Sequence, residues 1–131
     1  MDVVFLEGLQ FYGYHGVDSE ERSLGQRFLV DVELTTDLRA AGQADDLTQT
    51  VNYSLVYTRV QTIVEGPPHN LIETVAEELA TALLADFPAS SVTVVVRKPE
   101  VGLRGATLRA AGVRIVRPAP AHVAHAHERV D

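Results

Sequence analysis

The chain has 131 residues, no cysteine and a formal net charge of −7 at pH 7. That length suits one domain, the missing cysteine excludes disulfides and thiolate metal sites, and the acidic balance argues against nucleic acid or an anionic membrane as partner. Hydrophobic residues make up 46%, enough for a packed core, but no apolar run reaches membrane length, and Met1-Asp2-Val3-Val4-Phe5 lacks the pattern of a signal peptide, so a cytoplasmic location is expected.

Residues 3–15 read as a long first strand, since Phe5, Tyr12 and Tyr14 favour a pleated surface. Gly8, Gly13 and Gly16 permit bulges or a tight end. Residues 17–24 are polar and read as a loop or one short helical turn. Gly25 then opens a second strand, in which Phe28, Val30, Val32 and Leu34 alternate with Leu29, Asp31, Glu33 and Thr35. The two strands are expected to form an antiparallel hairpin. Residues 38–50 read as a loop leaving the sheet. Asn52 is the N-cap of a helix whose apolar positions are Val56, Val60, Ile63 and Val64, and Gly66-Pro67-Pro68 stops it. A second helix follows His69-Asn70, with an apolar stripe of Leu71, Ile72, Val75, Ala76, Leu79 and Leu83. Residues 91–97 form a third strand, buried on both faces, and residues 106–116 a fourth. The segment from 118 to 131, rich in Pro, Ala and His, is expected to be disordered. Its His122, His125 and His127 lack the supporting groups of a metal site, so no metal is expected.

The order ββααββ predicts an α+β domain over residues 1–117: a four-stranded antiparallel sheet with both helices on one face. The other sheet face is not wholly polar and needs cover, which predicts an oligomer.

Lys98 is the only lysine among eleven Lys and Arg residues. It sits where Val94-Val95-Val96-Arg97 ends, and Pro99 holds it extended. Lysine can exchange its proton where arginine cannot, although an ordinary solvated lysine fits the position too. Glu21 in the hairpin loop, Tyr53 at the first helix start and Glu73 in the first turn of the second helix also stand at element ends, where scaffolds present function. Glu21 can equally be a solvated acid, and Tyr53 can simply pack. Asn70-Leu71-Ile72-Glu73 fits a variant capping box, which would occupy the Glu73 carboxylate. His15 and His69 read as local hydrogen-bonding residues. Together, a carboxylate that accepts two parallel hydrogen bonds and a Tyr–Lys pair that moves protons make a coherent set.

These residues lie in four segments: Phe11-Tyr12-Gly13-Tyr14-His15-Gly16 with Glu21 and Gly25-Gln26; Thr50-Val51-Asn52-Tyr53; Asn70-Leu71-Ile72-Glu73 with Ala76-Glu77; and Lys98-Pro99. In order and separation they resemble the bacterial dihydroneopterin aldolase family, from about residue 2 to residue 117. The resemblance implies the tunnelling fold (T-fold), whose subunits join their sheets into a barrel. It implies a tetrameric ring or a homo-octamer, with active sites between subunits. It implies a pterin as small-molecule substrate and no cofactor. The implied reaction is retro-aldol cleavage of 7,8-dihydroneopterin in folate biosynthesis, with some C2′ epimerisation. The substrate's own N5–C6 double bond serves as electron sink, so neither a metal nor a lysine Schiff base is needed.

By the same resemblance Glu73 anchors the pterin edge, helped by the backbone of Ile72, Val51 and Asn52. Lys98 is the acid–base lysine, Tyr53 helps to reprotonate the enamine, and Glu21 contacts the trihydroxypropyl side chain. Asn52 stands where relatives vary. The alternatives are a dihydroneopterin triphosphate epimerase, for which Arg97, Arg104 and Arg109 could form a basic mouth, and a non-catalytic pterin- or purine-binding module.

Overall fold

Alternation in the second strand decides the architecture. Phe28, Val30, Val32 and Leu34 place every second side chain on one face, and all four are buried. A computed structural model describes residues 1–100 and 105–121. In it β1 (Asp2–Gly13), β2 (Gln26–Thr36), β3 (Ser91–Lys98) and β4 (Ala111–Pro118) form one antiparallel sheet in the order β1-β2-β3-β4. The helices α3 (Tyr53–Val64) and α4 (Ile72–Asp86) cover one face. Their buried residues Val56, Val60, Val75, Leu79 and Leu83 meet β2 and the β3 residues Val92, Val94 and Val96. Each such side chain contributes about 1.5–3 kcal/mol on full burial.

On the opposite face Val95 is only 8% exposed, flanked in register by Asp31 and Arg114. Ser91 and Thr93 on that face are half-buried, so the two-sided burial expected for β3 is limited to one valine. Val3, Phe5 and Val116 remain exposed there.

Four elements differ from the sequence reading. β1 stops at Gly13, and His15 turns inward to become fully buried. Residues 17–24, read as a loop or one short helical turn, do hold a short helix, α1 (Ser19–Leu24), and are not among the four. The stretch read as a loop holds α2 (Arg39–Ala44) and a 3₁₀ turn (Leu47–Gln49), neither with a buried residue. With no apolar stripe, neither gives a periodic signal. β4 starts at Ala111 rather than 106 and runs to Pro118, and the Ala119 N–H then donates to the Ser90 carbonyl at 2.8 Å. Ordered backbone thus continues past the expected start of the tail. Residues 122–131, including His122, His125 and His127, lie outside the described residues. Among the described residues no helix is long and apolar enough to cross a membrane.

Candidate active site

Lys98 is the last residue of β3, with Pro99 directly behind it. Its Nζ lies 2.7 Å from Oε2 of Glu21, and the two side chains are only 15% and 20% exposed. Gln26 Nε2 donates to the same oxygen at 2.8 Å. Glu21 is the third residue of α1, and its Oε1 accepts the Asp18 backbone N–H at 3.3 Å. One oxygen therefore steadies a helix start while the other faces the ammonium. Burial pushes the Glu21 carboxyl up, but hydrogen bonds from Lys98, Gln26 and Asp18 outweigh it and hold the group below its ordinary value.

Two glycines permit this geometry. Gly16 has φ +154°, and a Cβ there would collide with the Glu21 carboxylate. Gly25 ends α1 at φ +74°, in the left-handed region that favours glycine, where a Cβ would strike the rings of Tyr12 and Tyr14.

The start of α4 lies beside this pair. The Gly16 N–H donates to the His69 carbonyl at 3.0 Å, and Arg22 Nη1 donates to Asn70 Oδ1. The capping box that the Asn70–Glu73 spacing allowed as an alternative is not formed. Helix α4 begins at Ile72, its N-cap is Leu71, and no side chain among the described residues caps it. Arg22 has taken the Asn70 oxygen, and Glu73, now one position earlier in the helix, is exposed. Its carboxylate is thus not spent on a cap, and it benefits from the positive end of the helix dipole. Ile72 is half-buried and packs on the core.

Tyr53, Val51 and Asn52 are elsewhere. Asn52 caps α3 as expected, its Oδ1 accepting the Ser54 N–H at 3.0 Å. Val51 is buried, while Tyr53 is 60% exposed. A cavity of about 410 Å³ opens there, lined by Val3, Phe5, Leu47, Val51, Asn52 and Tyr53. Val3 pairs with Thr35, and Thr35 pairs with Ser91 at the beginning of β3. Lys98 is at the other end of that strand, on the order of 20 Å away at ~3.4 Å per residue. The fold thus places Glu21, Lys98 and the start of α4 together, and it separates them from Tyr53.

Sequence reasoning missed Gln26 as a partner of Glu21, and it missed the character of the mouth. A second cavity of about 380 Å³ is lined by Asp18, Glu20, Glu21, Gln26, Arg27 and Glu100. Arg27 Nε is held by Glu100 at 2.8 Å, and Arg97 Nη1 by Asp31 at 2.6 Å. The Asp31 carboxyl also accepts the Gly8 N–H at 2.7 Å, at a bulge in β1. Burial raises the Asp31 pKa, but the Gly8 N–H, Arg97 and Arg114 together hold it below the ordinary value. Of the arginines that could have made a basic mouth for the alternative epimerase, Arg97 is thus engaged, Arg109 is exposed and Arg104 lies outside the described residues. Such pairs span dozens of residues, so no local spacing announces them. The Asp18–Glu21 spacing ahead of a short helix was the one readable sign. Among the described residues no group of three or more His, Asp and Glu could hold a metal ion.

Comparison with known proteins bears on the chemistry these clusters serve. Residues 4–116 match the family model described as "FolB: Dihydroneopterin aldolase". The chain is 51% identical over 106 residues to the dihydroneopterin aldolase of Bacillus subtilis, covering 80% of this chain and 88% of that one. Its fold matches the crystal structure of Escherichia coli dihydroneopterin aldolase in complex with neopterin, with a TM-score of 0.82, 35% identity, and coverage of 89% and 99% of the two chains. It also matches a Burkholderia thailendensis dihydroneopterin aldolase bound to guanine, with a TM-score of 0.67, 27% identity, and coverage of 89% and 90%.

Proposed function

The chain belongs to the dihydroneopterin aldolase family, and from that membership we propose how its residues perform the family's reaction. The activity is that of a dihydroneopterin aldolase in folate biosynthesis: 7,8-dihydroneopterin is cleaved to 6-hydroxymethyl-7,8-dihydropterin and glycolaldehyde. The observation that carries the residue assignment is the ion pair of Lys98 with Glu21 beside the uncapped start of α4.

In this reading Glu73 accepts two hydrogen bonds from the 2-amino group and N3–H of the pterin, and the backbone of Ile72 completes that edge. A ring seated there brings its three-carbon side chain towards Glu21 and Lys98. The Lys98 ammonium, acting through a water, gives a proton to N5. The N5=C6 bond then draws in the electrons of the breaking C1′–C2′ bond, and the amine left on Lys98 takes the C2′ hydroxyl proton. Glycolaldehyde leaves and an enamine remains. Tyr53 supplies the proton that C1′ needs and regains one from N5. Glu21 accepts hydrogen bonds from the side-chain hydroxyls and holds the Lys98 Nζ in place between turnovers. The substrate provides its own electron sink, so Lys98 forms no imine, and borohydride added during turnover should leave it unlabelled.

Tyr53 lies too far from Lys98 to act on the same substrate within one chain. We therefore assign Tyr53, Val51 and Asn52 to the site of a neighbouring subunit, in a tetrameric ring or an octamer built from such rings. Among the described residues the outer edges of β1 and β4 are unpaired, which supports that assembly, because free edges are ready to pair with another chain. The acidic mouth supports an uncharged triol over a triphosphate, because like charges at a cleft mouth lower substrate on-rates.

Kinetics test the roles. Glu73→Ala should raise KM at least tenfold, the loss expected when charge-assisted hydrogen bonds are removed. Lys98→Ala should lower kcat by ~10²-fold or more with a small change in KM. The reverse pattern would overturn both assignments. Product analysis with a chelator present, reading 6-hydroxymethyl-7,8-dihydropterin, glycolaldehyde and any C2′ epimer, tests the reaction itself.

A further inference from the structure

His15 is the one buried polar or charged side chain among the described residues. The catalytic scheme does not use it. Both of its ring nitrogens are committed to backbone. Nδ1 accepts the His69 N–H at 3.0 Å, which requires that nitrogen to be unprotonated. Nε2 therefore carries the hydrogen and donates to the Val64 carbonyl at 2.7 Å. Val64 is the last residue of α3, where helical carbonyls have no partner of their own. The ring packs edge-on against Phe28 at 5.3 Å and stacks on His69 at 5.7 Å.

One residue on, the Gly16 N–H donates to the His69 carbonyl at 3.0 Å. Both backbone groups of His69 are thus held by the segment that leaves β1. The His69 ring in turn reaches Glu78 Oε2 at 2.7 Å, on the next turn of α4. This clamp stands immediately before a helix start that lacks a side-chain cap. Ordinarily the cap residue fixes where such a helix begins. Here contacts from another part of the chain fix it. Burying an imidazole is costly unless both nitrogens are satisfied, and an apolar ring of similar size could fill the volume. What the imidazole adds is direction.

We propose that His15 is a positioning residue for the substrate: its Nδ1, by holding the His69 N–H, sets the placement of Ile72 and Glu73 that the pterin edge requires. The proposal rests on the reading of Glu73 as the pterin anchor. It predicts a defect in KM rather than in kcat, because Lys98 stands on β3 and the bond that breaks is in the substrate's side chain, away from the pterin edge that Glu73 holds.

Two substitutions divide the clamp. In His15→Asn the amide oxygen stands near the place of Nδ1 and keeps an acceptor for His69, while the donor to Val64 is lost. In His15→Gln the amide nitrogen stands near the place of Nε2 and keeps the Val64 bond, while the acceptor for His69 is lost. KM for 7,8-dihydroneopterin, kcat and urea midpoints are measured for both, with Glu73→Ala as reference. The expected result is that His15→Gln raises KM by about tenfold or more with kcat within about threefold. His15→Asn should keep KM within about threefold of the parent at a urea midpoint similar to that of His15→Gln, since each variant loses one of the two bonds. If both variants keep the parent KM, or both raise it equally, the role of Nδ1 is refuted. If Glu73→Ala itself leaves KM unchanged, the anchor reading fails first, and the proposal falls with it for that separate reason. Should neither variant fold, the unmodified protein decides. By linkage, a pterin that binds only the clamped form must stabilise the clamp. Saturating neopterin should then slow hydrogen exchange at the His69 amide, and unchanged exchange would refute the coupling.

Discussion

At Glu21 one carboxylate oxygen accepts the Asp18 N–H and the other faces Lys98 and Gln26. Its folded-state pKa lies below the ordinary 4.5, so the unfolded chain takes up a proton more readily. Its contribution to stability is complete above pH 4.5 and is lost as the pH falls through the lowered value. His15 also has a lowered pKa, chiefly because burial disfavours the imidazolium. The Val64 carbonyl and Glu78 act in the opposite direction, while His69 and Lys98 add to the lowering. The stability it confers is complete above pH 6.5 and is lost as the pH falls through its folded-state value. We expect two successive losses of thermal stability on acidification, the first beginning near pH 6.5 and the second below 4.5. Melting temperatures across that range should show both phases. His15→Gln should remove the first and leave the second, and a single phase in the parent protein would contradict these origins.

At the scale of elements, the site is made by a six-residue helix, a strand tip and an uncapped helix start. Of the three, α1 is held least by its own packing, since it buries no residue. Its placement relies on Gly16, where a Cβ would meet the Glu21 carboxylate and φ is +154°. Gly16→Ala should therefore combine a backbone strain of about 1–3 kcal/mol with a displaced Glu21. The expected outcome is a lower urea midpoint together with a fall in kcat/KM of about tenfold or more. A variant with normal kcat/KM would show that the Glu21 position is not critical. The long elements were readable in the sequence because alternation in β2 and the stripes of α3 and α4 each report a buried face. Of the short ones, only α1 was anticipated, as one short helical turn offered beside a loop. Helix α2 and the 3₁₀ turn bury nothing, and the α4 boundary moved because Arg22, not the helix itself, takes the Asn70 side chain.

For the whole molecule, the separation of Tyr53 from Lys98 along the sheet makes a prediction about assembly. If one chain supplies Tyr53 and its neighbour supplies Lys98, two inactive variants can repair each other. Tyr53→Ala and Lys98→Ala chains, unfolded together and reassembled in equal amounts, should regain about a quarter of the parent's activity, the share of sites drawing an intact residue from each chain. No gain over the separate variants would place each site within a single chain. By itself the sequence determined the ββααββ order, the face of the sheet that carries the helices, and the identity of the candidate residues. Those follow from hydrophobic period and from motif order, both written along the chain. Only the tertiary structure decided which candidates meet. Glu21 and Lys98 are 77 residues apart and form an ion pair. Glu73 does not take up the cap that its spacing from Asn70 allowed. His15 leaves the strand assigned to it and buries both nitrogens against backbone 49 and 54 residues away. Contacts of that range depend on how strands register and how helices cross them, and no local spacing encodes either.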